Sequence, residues 1–187
     1  KAFDYARFAP QGGNRQPVRF IVVRDQDKRN QLAELYRGPW KAYLADAQTG
    51  DINIGSDKAA RLLRNADYFA DHLEDVPVMV VACAHLEDTH PTDTELGRLS
   101  VVGGASIYPA VQNFILGCRE AQLGASLTTL LCLFEPQVKE LLGMPEDAAT
   151  VAHIAVGHRT KEFPTKLDRM GLEEIVFSET WGASTYS

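Results

Sequence analysis

The chain has 187 residues, of which 45% are hydrophobic and 24% charged, a composition typical of one soluble globular domain with its own core. Its net charge is −6 and its pI is about 5.4, whereas a surface that binds nucleic acid is normally basic. No apolar run approaches the ~20 residues needed to cross a bilayer, and no segment has the pattern of a signal peptide. We therefore expect a single domain over residues 1–187 with neither a nucleic-acid nor a membrane partner.

The three cysteines, Cys83, Cys118 and Cys132, are scattered through apolar segments. No two of them form a C-x-x-C pair. Reduced thiols fit a cytoplasmic location better than an oxidising compartment, so we expect a cytoplasmic protein.

The segment 9–20, with sequence APQGGNRQPVRF, leads from a short amphipathic run into an apolar strand at Phe20–Val23. Proline fixes φ and glycine permits φ > 0, so the segment is expected to form a loop of specific shape. Asn14 and Gln16 each carry donors and acceptors, which suit the edge of a flat polar ring. Because the same residue types are common in ordinary turns, composition alone leaves both interpretations open.

Two helices are expected after this strand. Asp25 or Asp27 can cap a helix that runs to about Tyr36, with Gly38 just past its end. Pro39–Ala47 predicts a second, short helix.

The region 38–56 is the candidate for a lid over a binding site. Its last part, Gln48–Gly55, is polar, contains two glycines and predicts a mobile connection. Trp40 and Tyr43 precede this connection. They are either packing residues or aromatic side chains that shape the substrate side of a bound ring.

Ser56 or Asp57 begins the next predicted helix, and Pro77–Ala84 is the clearest strand. The helix carries one apolar stripe: Leu62, Leu63, Ala66, Phe69, Ala70 and Leu73. The strand is apolar on both faces, so we expect it to lie in the centre of a sheet.

His85 and His90 flank Glu87 and Asp88, a spacing that raises the question of a metal site. Structural zinc sites usually combine four close ligands that include cysteine, and no H-E-x-x-H pattern is present. This Thr-, Asp- and Pro-rich stretch is better explained as a surface loop. We predict no metal site.

A long apolar stripe runs through the helix that follows. Its members are spaced at helical intervals: Ile107, Ala110, Val111, Phe114, Ile115, Cys118 and Ala121. Tyr108 and Leu116 make the opposite side apolar as well. Since the domain is small, we expect this helix to form a contact between two subunits.

Four elements complete the chain. Leu123–Leu133 predicts a strand rich in small residues and threonine. A short helix opens at Glu135-Pro136 and ends at Gly143. Strands are expected at Val151–Val156 and at Glu174–Ser178.

The chain has no signature of nucleophilic catalysis. There is no G-x-S-x-G and no cysteine with a neighbouring histidine. No G-x-G-x-x-G follows a strand, so a tightly bound dinucleotide of the Rossmann type is not indicated. We therefore name no catalytic side chain.

The segment 9–20 closely resembles the loop of the FMN-dependent nitroreductase family, A-P-S-(small)-x-N-x-Q-P-W-x-F. Gln11 and Val18 replace the usual serine and tryptophan. The six matching positions are Ala9, Pro10, Asn14, Gln16, Pro17 and Phe20. Four further segments are similar to that family in the same order: Gly103–Ala121 with its central helix, Gln122–Leu131, Val151–Arg159 with the strand ending at the flavin phosphate, and Phe177–Gly182 with its C-terminal signature.

The resemblance implies an α+β fold, with a central, mostly antiparallel sheet flanked by helices, assembled as an intertwined homodimer. It also implies FMN as the cofactor, bound at the dimer interface, with backbone N–H groups of residues 128–130 at the pyrimidine and N5 edge. A strand added to the partner's sheet is a further implication for Glu174–Ser178. The implied cofactor-binding residues are Pro10, Gly12, Gly13, Asn14, Gln16, Thr128, Thr129, Leu130, His158 and Arg159.

By the same resemblance, the expected activity is ping-pong hydride transfer from NADH or NADPH, through flavin N5, to a small electrophilic acceptor such as a nitroaromatic or a quinone. Two alternatives stay open: a related flavin enzyme with a dedicated substrate, and a flavin-binding storage or sensor module without turnover. The family usually opens with an Arg-x-Ser-x-Arg segment that helps to hold the phosphate. Here that segment either precedes Lys1 or is replaced by other residues.

Overall fold

The structure is a computed structural model and describes residues 1–49 and 57–185. The helices are α1 (Ala2–Arg7), α2 (Gln26–Thr49), α3 (Asp57–Asp71), α4 (Tyr108–Glu120), α5 (Glu135–Leu142) and α6 (Leu172–Ile175). The strands are β1 (Val18–Val23), β2 (Val78–His85), β3 (Leu123–Thr128) and β4 (Ala148–His158). Short 3₁₀ turns lie at Gly12–Asn14, Leu73–Asp75, Leu86–Asp88 and Leu130–Phe134.

The four strands form one antiparallel sheet in the order β1-β2-β4-β3. Alternate residues of the two central strands face opposite ways, as the pleat requires. Val80, Ala82 and Ile154 pack in one core with α1 and α4, whereas Met79 and Val81 pack in a second core with α2, α3 and α5. The α+β architecture and the central position of the strand at Pro77–Ala84 are therefore confirmed.

The prediction that a helix ends at Gly38 and a second one starts at Pro39 is wrong. One helix, α2, continues through both residues to Thr49. A proline inside a helix removes a hydrogen bond and costs about 3 kcal/mol. The next residue, Trp40, is 8% exposed and donates its indole N–H to Asp67 Oδ1 of α3 (2.8 Å), and this packing favours the continuous helix.

The segment Gln48–Gly55, predicted to be a mobile connection, lies mostly outside the described residues. Of the two aromatic residues before it, Trp40 belongs to the core and Tyr43 is exposed while stacking on the indole at 5.5 Å. Trp40 is thus a packing residue.

Two helix and strand predictions in the second half are also wrong. The central helix begins at Tyr108 and not at Gly103, because residues 93–107 form turns held by hydrogen bonds to the Asp93 carboxylate and to Gly104 O. The last strand, expected at Glu174–Ser178, is instead the helical turn α6 followed by one bridge between Phe177 and Ser184.

The apolar stripe of α4 packs within the chain, and the contact between two subunits that we expected for this helix stays a prediction. Ala110, Val111, Phe114 and Cys118 are buried against the chain's own sheet and α1. Tyr108 and Leu116, on the other side of the helix, are partly exposed. Among the described residues, none of the helices has the length and apolar character that crossing a bilayer requires.

Candidate functional site

The loop at residues 10–16, which we call the amide loop, has an unusual backbone. Asn14 and Gln16 have φ values of 52° and 56°, and Gly13 has φ 58°. Non-glycine residues seldom adopt this left-handed region, and when they do they concentrate at ligand sites. Both amide side chains are exposed and form no hydrogen bond with other described residues. They are therefore free to meet a ligand.

The amide loop rests on the segment that precedes α4. The Gly12 amide donates to Ser106 Oγ (3.0 Å), and Arg15 Nη1 lies 3.1 Å from His90 Nδ1. Between the two segments is a cleft of about 400 Å³, whose walls include Pro10, Gly12, Val102 and Ser106. Pro10 and Gly12 thus share one cleft, and Asn14 and Gln16 lie at the solvent side of the same loop.

A second candidate site is a groove between β3 and α3, which we call the β3–α3 groove. At one end a cleft of about 580 Å³ is lined by Gly124–Ser126, Phe69 and Gly157–Lys161. At the other end a cleft of about 460 Å³ is lined by Leu127–Leu130 and Ala66. The two clefts follow each other along the same strand and the same helix. The structure therefore places Thr128, Thr129, Leu130, His158 and Arg159 along one groove.

The two ends of the groove differ in chemistry. His158, Arg159 and Lys161 make one end cationic, while Tyr36, Trp40 and Tyr43 make the other aromatic. Leu123 pairs with His158 and Thr128 pairs with His153, so about five residue steps of ~3.3 Å, or roughly 17 Å, separate the ends. An elongated ligand with an anion at one end and a flat ring at the other matches this arrangement.

Arg159 is held in place but remains available to an anion. Its guanidinium pairs with Glu162 (2.7 Å), donates to Gln122 Oε1 (3.0 Å) and stacks on Phe163 (5.1 Å from the ring centre). The Glu162 side chain is fully exposed, and such surface ion pairs contribute only about 0–1 kcal/mol. A phosphate group, which arginine binds bidentately, can displace Glu162.

The aromatic end is ordered by Thr128. Its hydroxyl accepts a hydrogen bond from the Leu130 amide (3.2 Å), and the Tyr36 side chain lines the same cleft. Burial raises the pKa of the Tyr36 phenol, so the group stays neutral at physiological pH. Thr129 follows the strand and is exposed, and its carbonyl accepts from the Cys132 amide (2.9 Å).

The amide loop and the β3–α3 groove lie at opposite corners of the sheet. Pro17 O accepts from the His85 amide (2.8 Å), and His85 pairs with Ala148 at the start of β4. His158 is at the other end of β4, ten residue steps or roughly 33 Å away. The two regions also belong to different edge strands. Within one chain, the predicted residues therefore form two separate sites.

The stretch containing His85 and Asp88 is a compact ion-pair cluster. The two ring nitrogens of His85 are each bonded to a carboxylate, one from Asp88 (3.0 Å) and one from Asp147 (2.8 Å). Both ring nitrogens of His85 therefore face carboxylates of the chain itself.

The model of the Nitroreductase family matches residues 1–158 of the chain. The chain belongs to the nitroreductase family. The chain is also similar to Protein DrgA of Synechocystis sp., with 29% identity over 171 residues. This alignment covers 89% of this chain and 75% of DrgA.

Two solved structures show the same fold. An iodotyrosine deiodinase bound to FMN and 3-iodo-L-tyrosine has a TM-score of 0.69 and 19% identity, over 96% of this chain and 85% of that one. NADPH:FMN oxidoreductase from Vibrio harveyi, in complex with NAD⁺, has a TM-score of 0.64 and 20% identity. The alignment covers 96% of this nitroreductase-family chain but only 66% of the Vibrio harveyi chain.

Several neighbours of the predicted residues were not singled out from the sequence. Ser106 holds the amide loop, while Phe163 and Gln122 hold Arg159. Ser106 is distant from the loop in sequence, so no local pattern indicates the contact. The aromatic residue four positions after Arg159 was a usable signal, since aromatic faces often support guanidinium groups.

Proposed function

We propose that this protein is an FMN-dependent oxidoreductase that uses NADH or NADPH to reduce small electrophilic acceptors, such as nitroaromatics or quinones. Membership of the nitroreductase family supports an oxidoreductase. The Vibrio harveyi structure, an NADPH:FMN oxidoreductase, supports both the flavin and the nicotinamide donor by similarity.

The observation that carries this proposal is the β3–α3 groove. It places a cationic group, Arg159, and a partly aromatic cleft at Thr128–Leu130 at the two ends of one strand. This order of chemistry suits the phosphate and the ring of FMN, so the residues present fit the cofactor. A flavin, when bound, supplies the hydride chemistry itself, and the protein supplies binding and orientation.

Each part of the groove then has a physical role. Arg159, with His158 and Lys161 beside it, binds the phosphate. Of the backbone N–H groups of residues 128–130, that of Leu130 already donates to Thr128 Oγ1, so we assign the Thr129 N–H to the pyrimidine edge, where it would stabilise negative charge as an oxyanion hole does. The partly buried walls from α2 and α3 exclude water from one side of the ring. We assign no side chain as a general acid or base.

The amide loop completes the site only if it comes from a second copy of the chain. In its own chain the loop is five residue steps and three strand spacings, or roughly 22 Å, from the aromatic end of the groove where the ring would lie, too far for direct contact with that ring. Phe8, Leu99 and Val101, near the amide loop, are apolar and 78%, 90% and 76% exposed, and such surfaces mark interfaces. We therefore propose a homodimer in which Asn14 and Gln16 of one copy meet the flavin in the groove of the other.

The first test is the visible absorption spectrum of the purified protein, with mass spectrometry of what denaturation releases. A yellow protein that releases FMN and is bleached by NADH or NADPH supports the proposal. A colourless protein that takes up no added FMN refutes it.

Turnover then separates the open alternatives. Rapid reoxidation by nitroaromatics or quinones supports the broad reductase. FMN bound without NAD(P)H oxidation supports a storage or sensor module. NAD(P)H oxidation that no generic acceptor accelerates supports an enzyme with a dedicated substrate.

An Arg159→Ala variant tests the groove itself. Losing a charged hydrogen-bond partner of the phosphate costs about 1.5–3 kcal/mol, so the Kd for FMN should rise at least tenfold. Lys166→Ala is the matched control, because it removes an exposed cation that does not line the groove. Equal FMN affinity in wild type and Arg159→Ala would refute the phosphate assignment.

A further inference from the structure

Asp93 lies outside the β3–α3 groove and does not line the cleft beside the amide loop, yet the residue is almost fully buried (3% exposed). Its carboxylate accepts four hydrogen bonds from the turn that follows it. The donors are Ser100 Oγ (2.5 Å), Arg98 Nη1 (2.7 Å), Val101 N (2.9 Å) and Val102 N (3.3 Å). One carboxylate thus orders the whole segment 98–102.

The charge on Asp93 is retained over the physiological pH range. The hydrogen bond from Ser100, together with those from Arg98 and the two backbone amides, lowers the pKa of the carboxyl group to about 2. Hydrogen bonds to an ionised acceptor are shorter and about twice as strong as neutral ones. Neutralising this group would therefore weaken all four contacts.

The ordered segment leads directly to the contact that holds the amide loop. Ser100 Oγ accepts from the Gly103 amide (3.0 Å), and Val102 O accepts from the Ala105 amide (2.9 Å). The next residue, Ser106, accepts from the Gly12 amide (3.0 Å). Hydrogen bonds from Asp93 to Ala105, followed by the peptide link from Ala105 to Ser106 and the bond from Gly12 to Ser106, therefore connect the Asp93 carboxylate with the backbone of the amide loop.

The amide loop needs such support because its backbone is unfavourable. Asn14 and Gln16, both with positive φ, each cost of order 1–3 kcal/mol unless the surroundings fix them. Inside the loop, Asn14 N donates to Gln11 O and Arg15 N donates to Gly12 O. Gly12 takes part in two bonds: its carbonyl accepts from the Arg15 amide, and its own amide donates to Ser106 Oγ. The contact with Ser106 therefore fixes the loop at its turn.

We propose that Asp93 is a positioning residue for flavin binding: its carboxylate sets the turn at 98–103, and this turn places Ser106 so that the amide loop keeps the shape that meets the cofactor. This inference rests on the proposed function, because the flavin is the ligand that the loop would meet.

The test compares four variants of the full chain. Asp93→Asn removes the charge and places an amide against two backbone donors. Ser106→Ala removes the acceptor of Gly12, and the double variant combines both changes. Glu95→Gln is the matched control, because it removes one negative charge from the same loop at an exposed side chain.

FMN titration, followed by quenching of flavin fluorescence, gives the first readout. We expect the Kd to rise about tenfold in Asp93→Asn and about fivefold in Ser106→Ala, from the loss of charged and neutral hydrogen bonds. Since both act through one contact, the double variant should stay within about twofold of Asp93→Asn rather than reach the product of the two effects. Glu95→Gln should bind FMN as the wild type does.

Hydrogen–deuterium exchange without flavin gives the second readout. Exchange at residues 11–16 should be faster in Asp93→Asn and Ser106→Ala, with β2 and β4 unchanged. Wild-type FMN affinity in Asp93→Asn, or effects that multiply in the double variant, would overturn the proposal. So would faster exchange throughout the sheet, which indicates a general loss of stability.

Two further comparisons keep the outcomes distinct. If Asp93→Asn does not fold, Ser106→Ala against Ser106→Thr tests the same link: the threonine keeps the hydroxyl and should restore both readouts, and failure to restore either would overturn the proposal. A wild-type protein that binds no FMN refutes the proposed function, while the exchange arm still decides whether Asp93 controls the loop.

Discussion

His153 is the buried group whose replacement has the clearest expected effect. It lies on β4 between Val81 of β2 and Thr128 of β3, and its side chain is 0% exposed. Neither ring nitrogen has a hydrogen-bond partner among the described residues. Burial lowers the pKa of this histidine from 6.5 to about 4. Between about pH 4 and pH 6.5, the folded state therefore keeps the imidazole neutral, whereas the unfolded state protonates it.

The sign and size of the effect follow from proton linkage. Below pH 6.5 the unfolded chain binds a proton at His153 that the folded chain does not, so the free energy of unfolding falls as the pH falls. Each pKa unit corresponds to 1.36 kcal/mol. A difference of about 2.5 units gives a loss of about 3 kcal/mol, complete near pH 4 and absent above pH 7.

The variant that isolates this term is His153→Leu, which has no titratable group. Urea unfolding at pH 7.5, 6.5, 5.5 and 4.5, at one protein concentration, gives the stability of variant and wild type. Below pH 6.5, the difference in free energy of unfolding between the variant and the wild type should increase in favour of the variant by about 1.4 kcal/mol for each pH unit. At pH 7.5 it should be no less stable, because it also removes two buried polar atoms without partners.

His72→Leu is the control, since this histidine is exposed and pairs with Asp75 on the surface. The gap between that variant and the wild type should change by less than about 1 kcal/mol over the same pH range. Parallel pH curves for His153→Leu and the wild type would refute the reasoning. They would mean that the folded protein accommodates the protonated ring as well as the unfolded chain does.

Substitutions at four further positions should have smaller effects in urea unfolding at neutral pH. Glu135 Oε2 accepts from both the amide (2.6 Å) and the hydroxyl (3.1 Å) of Thr150, so Glu135→Ala should cost about 1–3 kcal/mol and Glu135→Gln, which keeps an acceptor, less. Trp40→Phe removes the indole donor to α3 and should cost about 1 kcal/mol; no loss would show that packing alone holds α2 beyond its proline. Gly143 ends α5 with φ 65°, so Gly143→Ala should cost about 1–2 kcal/mol. Gly38→Ala, inside α2 with open space around it, should instead be neutral or stabilising by up to about 1 kcal/mol.

The parts of the fold that the sequence predicted well are those in which a short pattern and its burial agree. Pro77–Ala84 is apolar on both faces because β2 lies between two strands and two helical layers. The helix after Glu135 ends where a left-handed glycine closes it. In each case the local sequence pattern is enough to predict the element, because no contact with a distant residue changes the local structure.

The predictions failed where a distant contact decides the local structure. Gly38 and Pro39 indicate a helix end, but the buried Trp40 and its bond to α3 keep the helix intact. The start of α4 depends on Asp93, a residue that composition alone would place on the surface. Non-local pairings of this kind are not contained in any window of the sequence.

The same limit applies to the candidate site, and a subunit-complementation experiment addresses it. Sequence similarity names the loop residues and the groove residues together, whereas in one chain the two sets lie at opposite corners of the sheet. If two copies build each site, Asn14→Ala impairs the site in the partner's groove and Arg159→Ala impairs the site in its own. A mixed dimer of these two variants then has one site with both changes and one site with neither. Random exchange in an equal mixture, by unfolding and refolding together, makes half of the dimers mixed. At an FMN concentration well below the raised Kd of the two parents, where each parent is nearly inactive, about a quarter of the wild-type NAD(P)H oxidation should return. Activity that stays at the mean of the parents, while size-exclusion chromatography shows dimers, would mean that each chain builds its site alone. The distance between the amide loop and the β3–α3 groove would then have to close by a rearrangement of the single chain.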